Sequence, residues 1–171
     1  KNKIIPIGHF YLEFIKNNNE ISSQRKLKKQ YKKIITISSQ NIIEKKLLKF
    51  IIKTAKMIPD ICFIFIPRRY CKFHSDNTLP DNILINEKYD LYSSTRFSDY
   101  HATVFSTFAS ESLFLGVPSI MINIDNLSKI HFLDILGSNK YVNFIDKPSE
   151  LAKLLNKPIV SNKVDVAKSA K

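Results

Sequence analysis

Ser106 and Thr107 stand side by side, Glu111 follows four residues after Thr107, and Gly116 and Pro118 close the same stretch, Asp99 to Ile122. Two hydroxyls at the start of a helix, beside backbone N–H groups with no partner inside that helix, suit an anion such as a phosphate. The spacing of four puts Glu111 and Thr107 on one helix face, where a carboxylate would accept hydrogen bonds from the 2′- and 3′-hydroxyls of a ribose. The plainer alternatives are ordinary N-capping for the hydroxyls and a solvated carboxylate for Glu111. Arg68 and Arg69 follow the apolar run Ile61 to Ile66, where a guanidinium would pair with phosphate oxygens or simply face solvent. His74 lies in the same polar segment. Ser38, Ser39 and Gln40 follow the apolar run Ile34 to Ile37 and would line the same crevice. His101 precedes an apolar strand core, as a structural histidine does more often than a catalytic one.

These residues need a sheet to bring them to one edge. His101 to Phe105 and Ser119 to Ile122 read as strands, with a helix between them that Gly116 ends as a C′ residue and Pro118 forbids from continuing. Ile34 to Ile37 and Ile61 to Ile66 are further apolar, β-branched strands. From Asn41, a good cap, Ile42, Ile43, Leu47, Leu48, Ile51, Ile52 and Ala55 recur at helical spacing up to Pro59. Two strands joined by such a helix predict a right-handed βαβ crossover. Ile83 to Ile85 is a short strand, Tyr89 to Ser94 a small helix, Leu127 to Leu136 a helix closed by Gly137, and Tyr141 to Ile145 a strand. Pro148 opens a last helix through Leu155, in an early-turn position where its missing N–H costs little. The alternation predicts an α/β fold, a doubly wound parallel sheet of Rossmann-like type, with phosphate binding at the carboxyl edge of its strands. Residues 1–33 read as a lead-in arm or linker, 34–156 as the single domain, and 157–171 as a polar tail.

The chain has 171 residues, enough for one well-cored domain. Its first residue is Lys, which suggests an excised domain or a processed chain. No apolar run approaches the ~20 residues that cross a bilayer. The formal charge of +12 invites a nucleic-acid reading. The abundant Lys, Asn and Ile are also what an AT-rich genome would give, and Arg25 to Lys33 holds a single stacking aromatic, Tyr31. Nucleic acid is therefore the less favoured partner, against a solvated face or an anionic membrane surface. Cys62 and Cys71 show no metal-ligand spacing, so no metal site is expected, and a reducing, cytoplasmic setting fits best. There is no GxGxxG and no P-loop, which disfavours a Rossmann dehydrogenase or a kinase-type NTPase.

The pattern Ser-Thr-x-x-x-Glu-x-x-x-x-Gly-x-Pro, here Ser106, Thr107, Glu111, Gly116 and Pro118, resembles the nucleotide-sugar-binding, C-terminal half of GT-B glycosyltransferases. It looks closest to bacterial surface-polysaccharide enzymes of capsule, sialyltransferase-like or teichoic-acid-polymerase-like type. The resemblance extends loosely over Ile34 to Leu155, with Thr36-Ile37-Ser38-Ser39-Gln40 like the first strand and turn and Val142 to Leu155 like the closing strand and helix. Pro6 to Phe14 resembles the lead-in segment.

The resemblance implies that Ser106 and Thr107 hold the donor phosphate, with Ser39 and Gln40 beside them, and that Glu111 holds the ribose. Relatives commonly carry a His-Pro motif after the second strand. Here that place reads Ile66-Pro67-Arg68, so the Pro matches and the His does not. Arg68 would take over the phosphate contact and meet the leaving-group charge, with His101 as a second catalytic candidate, or the activity is altered. The family implies a UDP- or CMP-linked sugar as donor substrate, no separate cofactor and no metal, since helix dipole and basic residues stabilise the leaving nucleotide. It also implies a missing N-terminal acceptor domain, a part in capsule or lipopolysaccharide synthesis, and a cytoplasmic site, in one variant peripheral at the inner membrane face. Without that domain this chain would not turn over. A UDP-N-acetylglucosamine 2-epimerase-like isomerase shares the fold. It usually shows a glycine pair where Phe105-Ser106-Thr107 stand here, which argues against it. A non-enzymatic polyanion- or membrane-surface-binding module is the third reading.

Overall fold

The computed structural model describes residues 22–68, 79–86, 91–159 and 161–170. Six strands, β1 (Lys33–Ser38), β2 (Ile61–Ile66), β3 (Ile83–Ile85), β4 (Tyr100–Thr103), β5 (Ser119–Ile122) and β6 (Val142–Ile145), form one sheet. The order is β3-β2-β1-β4-β5-β6, every pairing parallel. This is the doubly wound arrangement, whose order reverses between β1 and β4 and opens a crevice beyond their carboxyl ends. β2 and β3 are continuous apolar runs, as a sheet covered on both faces favours. All six residues of β1 and of β2 are buried.

One face is largely apolar. Ile35, Ile37, Phe63, Phe65, Ala102, Val104, Ile120 and Ile122 pack against α2 (Glu44–Met57) and α6 (Pro148–Leu155), which contribute Leu47, Ile51, Ala55, Leu151 and Leu155. The opposite face carries α1 (Ser22–Gln30), α3 (Leu91–Phe97), α4 (Phe108–Phe114) and α7 (Lys163–Lys168). Apolar residues occupy its two sides, with Ile34, Cys62, Ile64 and Ile66 against Phe97 and Leu27. On the other side Met121 and Val142 meet Ala109, Leu113 and Val166. Between them runs a buried polar file, Thr36 and Ser38 on β1, His101 and Thr103 on β4, and Ser119 on β5. The remaining helix, α5 (Leu127–Leu136), joins β5 to β6 and ends at Gly137 as expected. Cys62 is a buried core thiol, pushed up to about 12 by desolvation, and so chemically quiet.

Several boundaries differ from the sequence reading. The arm assigned to 1–33 contains α1 within its described part, and Tyr31 N–H donates to Leu27 O at 2.9 Å to close it. The tail contains α7, whose Val166 is fully buried against α4. Asn41 does not cap α2. Residues 41–43 form a turn, the helix begins after Ile43, and that turn leaves Ile42 87% exposed while Ile43 is buried. The small helix expected over Tyr89–Ser94 is Leu91–Phe97, and the strand expected to reach Phe105 ends at Thr103. Arg69, His74, Cys71 and the lead-in Pro6 to Phe14 lie outside the described residues.

Gly116 behaves as its position predicts. Its φ is +79°, and Gly116 N–H and Val117 N–H donate to Leu113 O and Ser112 O, the paired bonds of a Schellman motif. A Cβ there would stand 2.7 Å from Lys163 O, so the residue also lets α7 approach. Among the described residues no helix is long and apolar enough to cross a membrane.

Candidate functional site

The crevice between the carboxyl ends of β1 and β4 is built from the turn after β1, the end of β4 and the start of α4. Ser39 N–H donates to Ile66 O at 3.1 Å, which ties the β1 turn to the end of β2, directly before Pro67 and Arg68. On the other side Gln40 Nε2 donates to Thr103 Oγ1 at 3.1 Å, and Thr103 Oγ1 donates to Ser38 O at 3.1 Å. The single hydroxyl proton of Thr103 goes to a carbonyl, so Thr103 must accept from Gln40. The amide of Gln40 is thereby oriented with Oε1 away from Thr103.

Three side chains here each keep a buried atom without a hydrogen-bond partner: Ser39 Oγ, Gln40 Oε1 and His101 Nδ1. Thr95 Oγ1, on α3, is the fourth such atom among the described residues. Buried polar groups are nearly always paired, so the two orphans in the turn after β1, Ser39 Oγ and Gln40 Oε1, set that turn apart from the rest of the chain described. His101 itself is fully buried. Its Nε2 is 2.8 Å from Ser38 Oγ, and its ring meets the edge of Phe108 at 4.9 Å between centroids. Desolvation pushes its pKa down to about 3, so the ring is neutral at physiological pH. It lies beneath the crevice rather than in it, and touches the rim through Ser38.

The start of α4 divides its two hydroxyls. Ser106 Oγ accepts from Phe108 N–H at 3.3 Å and does the capping. Thr107 makes no side-chain cap bond and is exposed. Ala109 and Ser110 N–H turn back to Ser106 O and Thr107 O at 3.1 and 2.9 Å. Glu111 is half-buried one turn further on, and Tyr92 Oη donates to its Oε2 at 2.5 Å. Arg68 is exposed at the end of β2, and its N–H donates to Glu44 Oε2 at 3.2 Å. Glu44 opens α2 and is itself buried.

Ser39, Gln40, Ser106, Thr107, Glu111 and Arg68 thus all stand at the carboxyl edge or one turn from it, with His101 below. Glu44 and Tyr92 escaped the sequence reading. A Glu three residues after Asn41 is a first-turn signal that could have drawn attention to Glu44. Nothing local pairs Tyr92 with Glu111. Among the described residues no group of three or more His, Cys, Asp or Glu side chains could hold a metal ion.

The sequence matches no protein-family model, and no curated protein matches it. Solved structures do resemble it in fold. The glycotransferase of kitacinnamycin superposes with a TM-score of 0.64 at 16% identity, over 82% of this chain and 39% of its own. A protein of Listeria monocytogenes assigned as a UDP-N-acetylglucosamine 2-epimerase gives 0.58 at 13%, over 94% of this chain and 45% of its own. The wall teichoic acid polymerase TagF gives 0.54 at 19%, over 94% and 39%. The fold is therefore the Rossmann-like α/β fold of GT-B half domains. The chain spans less than half the length of each of these proteins.

Proposed function

We propose that this chain is the donor-binding half of a glycosyltransferase that uses a nucleotide-activated sugar, UDP- or CMP-linked. The observation that carries the reading is the pair of orphaned buried atoms of Ser39 and Gln40 at the strand-order reversal, beside the exposed Thr107 and the half-buried Glu111. Thr107 and Ser106 would face the phosphates and Glu111 the ribose hydroxyls. Ser39 and Gln40 would complete the floor. When the bond between the sugar's anomeric carbon and the phosphate oxygen breaks, the nucleotide leaves with the electron pair. The exposed guanidinium of Arg68 would stabilise that charge. His101, neutral and enclosed, would hold Ser38 and so the β1 turn.

The acceptor would bind in a second domain outside this chain, in keeping with its share of the neighbours' length. A role in capsule or lipopolysaccharide assembly, at the cytoplasmic face of the inner membrane, follows from the sequence resemblance. The likeness to the Listeria protein favours a second reading, a 2-epimerase-like isomerase.

Titration with UDP, CMP and their sugars, followed by amide shifts or melting temperature, tests the reading. Shifts centred on residues 106–111 that vanish in Thr107→Ala or Glu111→Ala are expected. An equal response to any polyanion, lost with salt and untouched by those substitutions, would instead favour a surface-charge binder. Joined to its other half, a transferase would release free nucleotide in step with glycosylated acceptor. An epimerase would interconvert sugar nucleotides.

A further inference from the structure

Glu111 is held by a second residue, and that residue comes from a different helix. Tyr92, in the first turn of α3, reaches across to α4, and its hydroxyl donates to Glu111 Oε2 at 2.5 Å, the range of a short hydroxyl-to-carboxylate bond. Its ring packs edge-on against Phe108 at 5.0 Å between centroids and 73° between planes. Phe108 in turn packs on His101. A glutamate on a helix surface has three rotatable side-chain bonds and, without a partner, samples many rotamers. A tyrosine has two, and this one is braced by an aromatic ring. The bond leaves Glu111 Oε1, which among the described residues has no hydrogen-bond partner, to accept from a ligand.

We propose that Tyr92 is a positioning residue for Glu111 and, through it, sets a preference for ribonucleotides over 2′-deoxyribonucleotides. The inference rests on the reading of Glu111 as the group that takes the ribose hydroxyls. With Oε2 pinned, the carboxylate meets the sugar in one orientation, and the cost of ordering it is met before the ligand arrives. A nucleotide lacking the 2′-hydroxyl makes one of the two bonds and gains less from that preparation, so part of the benefit appears as discrimination.

The test compares dissociation constants of UDP and 2′-deoxy-UDP, and of CMP and 2′-deoxy-CMP, for the full chain and for Tyr92→Phe and Glu111→Gln. Tyr92→Phe keeps the ring on Phe108 and removes only the hydroxyl, and a melting curve verifies that the fold is intact. The parent is expected to favour the ribonucleotide roughly tenfold, the scale of one hydrogen bond to a charged group. Tyr92→Phe should cut that ratio severalfold, weakening the 2′-deoxynucleotide, which keeps its 3′-hydroxyl, less than the ribonucleotide, and Glu111→Gln should abolish it. A ratio unchanged in Tyr92→Phe but lost in Glu111→Gln overturns the role of Tyr92 and leaves the reading of Glu111 standing. So does an equal weakening of both nucleotides in Tyr92→Phe, which is what a purely structural tyrosine would give. A parent with no preference, or one that binds neither nucleotide, overturns the reading of Glu111 and this inference together.

Discussion

The two edges of the sheet treat buried polar groups in opposite ways. At the amino edge they are engaged by the backbone. Lys33 Nζ donates to the carbonyls of Leu155 and Lys157, closing the end of α6, and Asp99 Oδ2 accepts from Ile34 N–H at 2.8 Å. Asn82 Nδ2 lies 3.2, 3.1 and 2.8 Å from the carbonyls of Ala55, Ile58 and Ile61, tying the end of α2 to the start of β2. At the carboxyl edge Ser39 and Gln40 each keep an atom unpaired, and His101, below them in the sheet, keeps Nδ1 unpaired. A protein with the means to satisfy one edge leaves the other incomplete, and an unsatisfied buried group costs stability unless a ligand or water meets it. The amino edge is closed by the chain's own backbone, and the turn after β1 at the carboxyl edge is not.

Asn82→Leu gives the largest effect that this contrast predicts. The substitution keeps the number of side-chain heavy atoms, removes the donors, and leaves Ile61 O without its side-chain partner, Ala55 O and Ile58 O keeping the N–H groups of Ile58 and Ile61, in a site where Asn82 is only 4% exposed. The expected loss is about 3 kcal/mol of unfolding free energy, read as a lower urea midpoint at unchanged slope. Nucleotide affinity per folded molecule should not move, because the residue lies at the far edge. A cost below about 1 kcal/mol would show that water replaces the amide, and that the amino edge is no better sealed than the crevice.

The contrast between edges was only half legible in the sequence. The strands were, because a sheet covered on both faces demands unbroken apolar runs such as Ile61 to Ile66. The longer helices were, because Leu47, Ile51 and Ala55, or Leu151 and Leu155, repeat at helical spacing. α1 and α7 were not. Ser22–Gln30 offers one apolar residue, Leu27, and Lys163–Lys168 one inward-facing anchor, Val166, so neither shows a period and both rest on tertiary contact. The start of α2 was misplaced because Asn41 has the chemistry of a cap, whereas burial of Ile43 set the turn. At the site, residue types and spacing picked out Ser106, Thr107 and Glu111 as one cluster. They could not separate the capping Ser106 from the exposed Thr107, nor find Tyr92, nineteen residues from Glu111 in sequence. Orphaned atoms such as His101 Nδ1 exist only once the strands are paired.

His101 gives the next largest effect, through pH. Its folded pKa, about 3, lies below its ordinary 6.5. Below 6.5 the unfolded chain takes up a proton that the native chain refuses, so stability is present above that value and is lost as pH falls toward 3. Between about pH 7.5 and about pH 5 the loss should be about 2 kcal/mol, measured by urea melts at the two values. His101→Gln, which keeps a hydrogen-bonding group toward Ser38, should remove that part of the slope whatever its own stability. A parent with no slope there would mean that the ring reaches solvent, and the crevice would be wetter than its burial implies.

Ser39→Ala should have the smallest effect on stability and decides most about the carboxyl edge. Ser39 is 5% exposed and its Oγ has no partner, while its backbone bond to Ile66 O survives the substitution. Deleting a buried hydroxyl that bonds to nothing removes a desolvation cost and no interaction, so the variant should be unchanged or more stable by up to ~1 kcal/mol. Serine-to-alanine changes at paired buried sites go the other way. If the hydroxyl serves a bound nucleotide, UDP or CMP should bind severalfold more weakly to this equally stable protein, which separates binding from folding at one atom. A loss of more than about 1 kcal/mol would mean that the hydroxyl is already paired in solution, most simply by a buried water. The two edges would then differ only in whether backbone or solvent does the pairing.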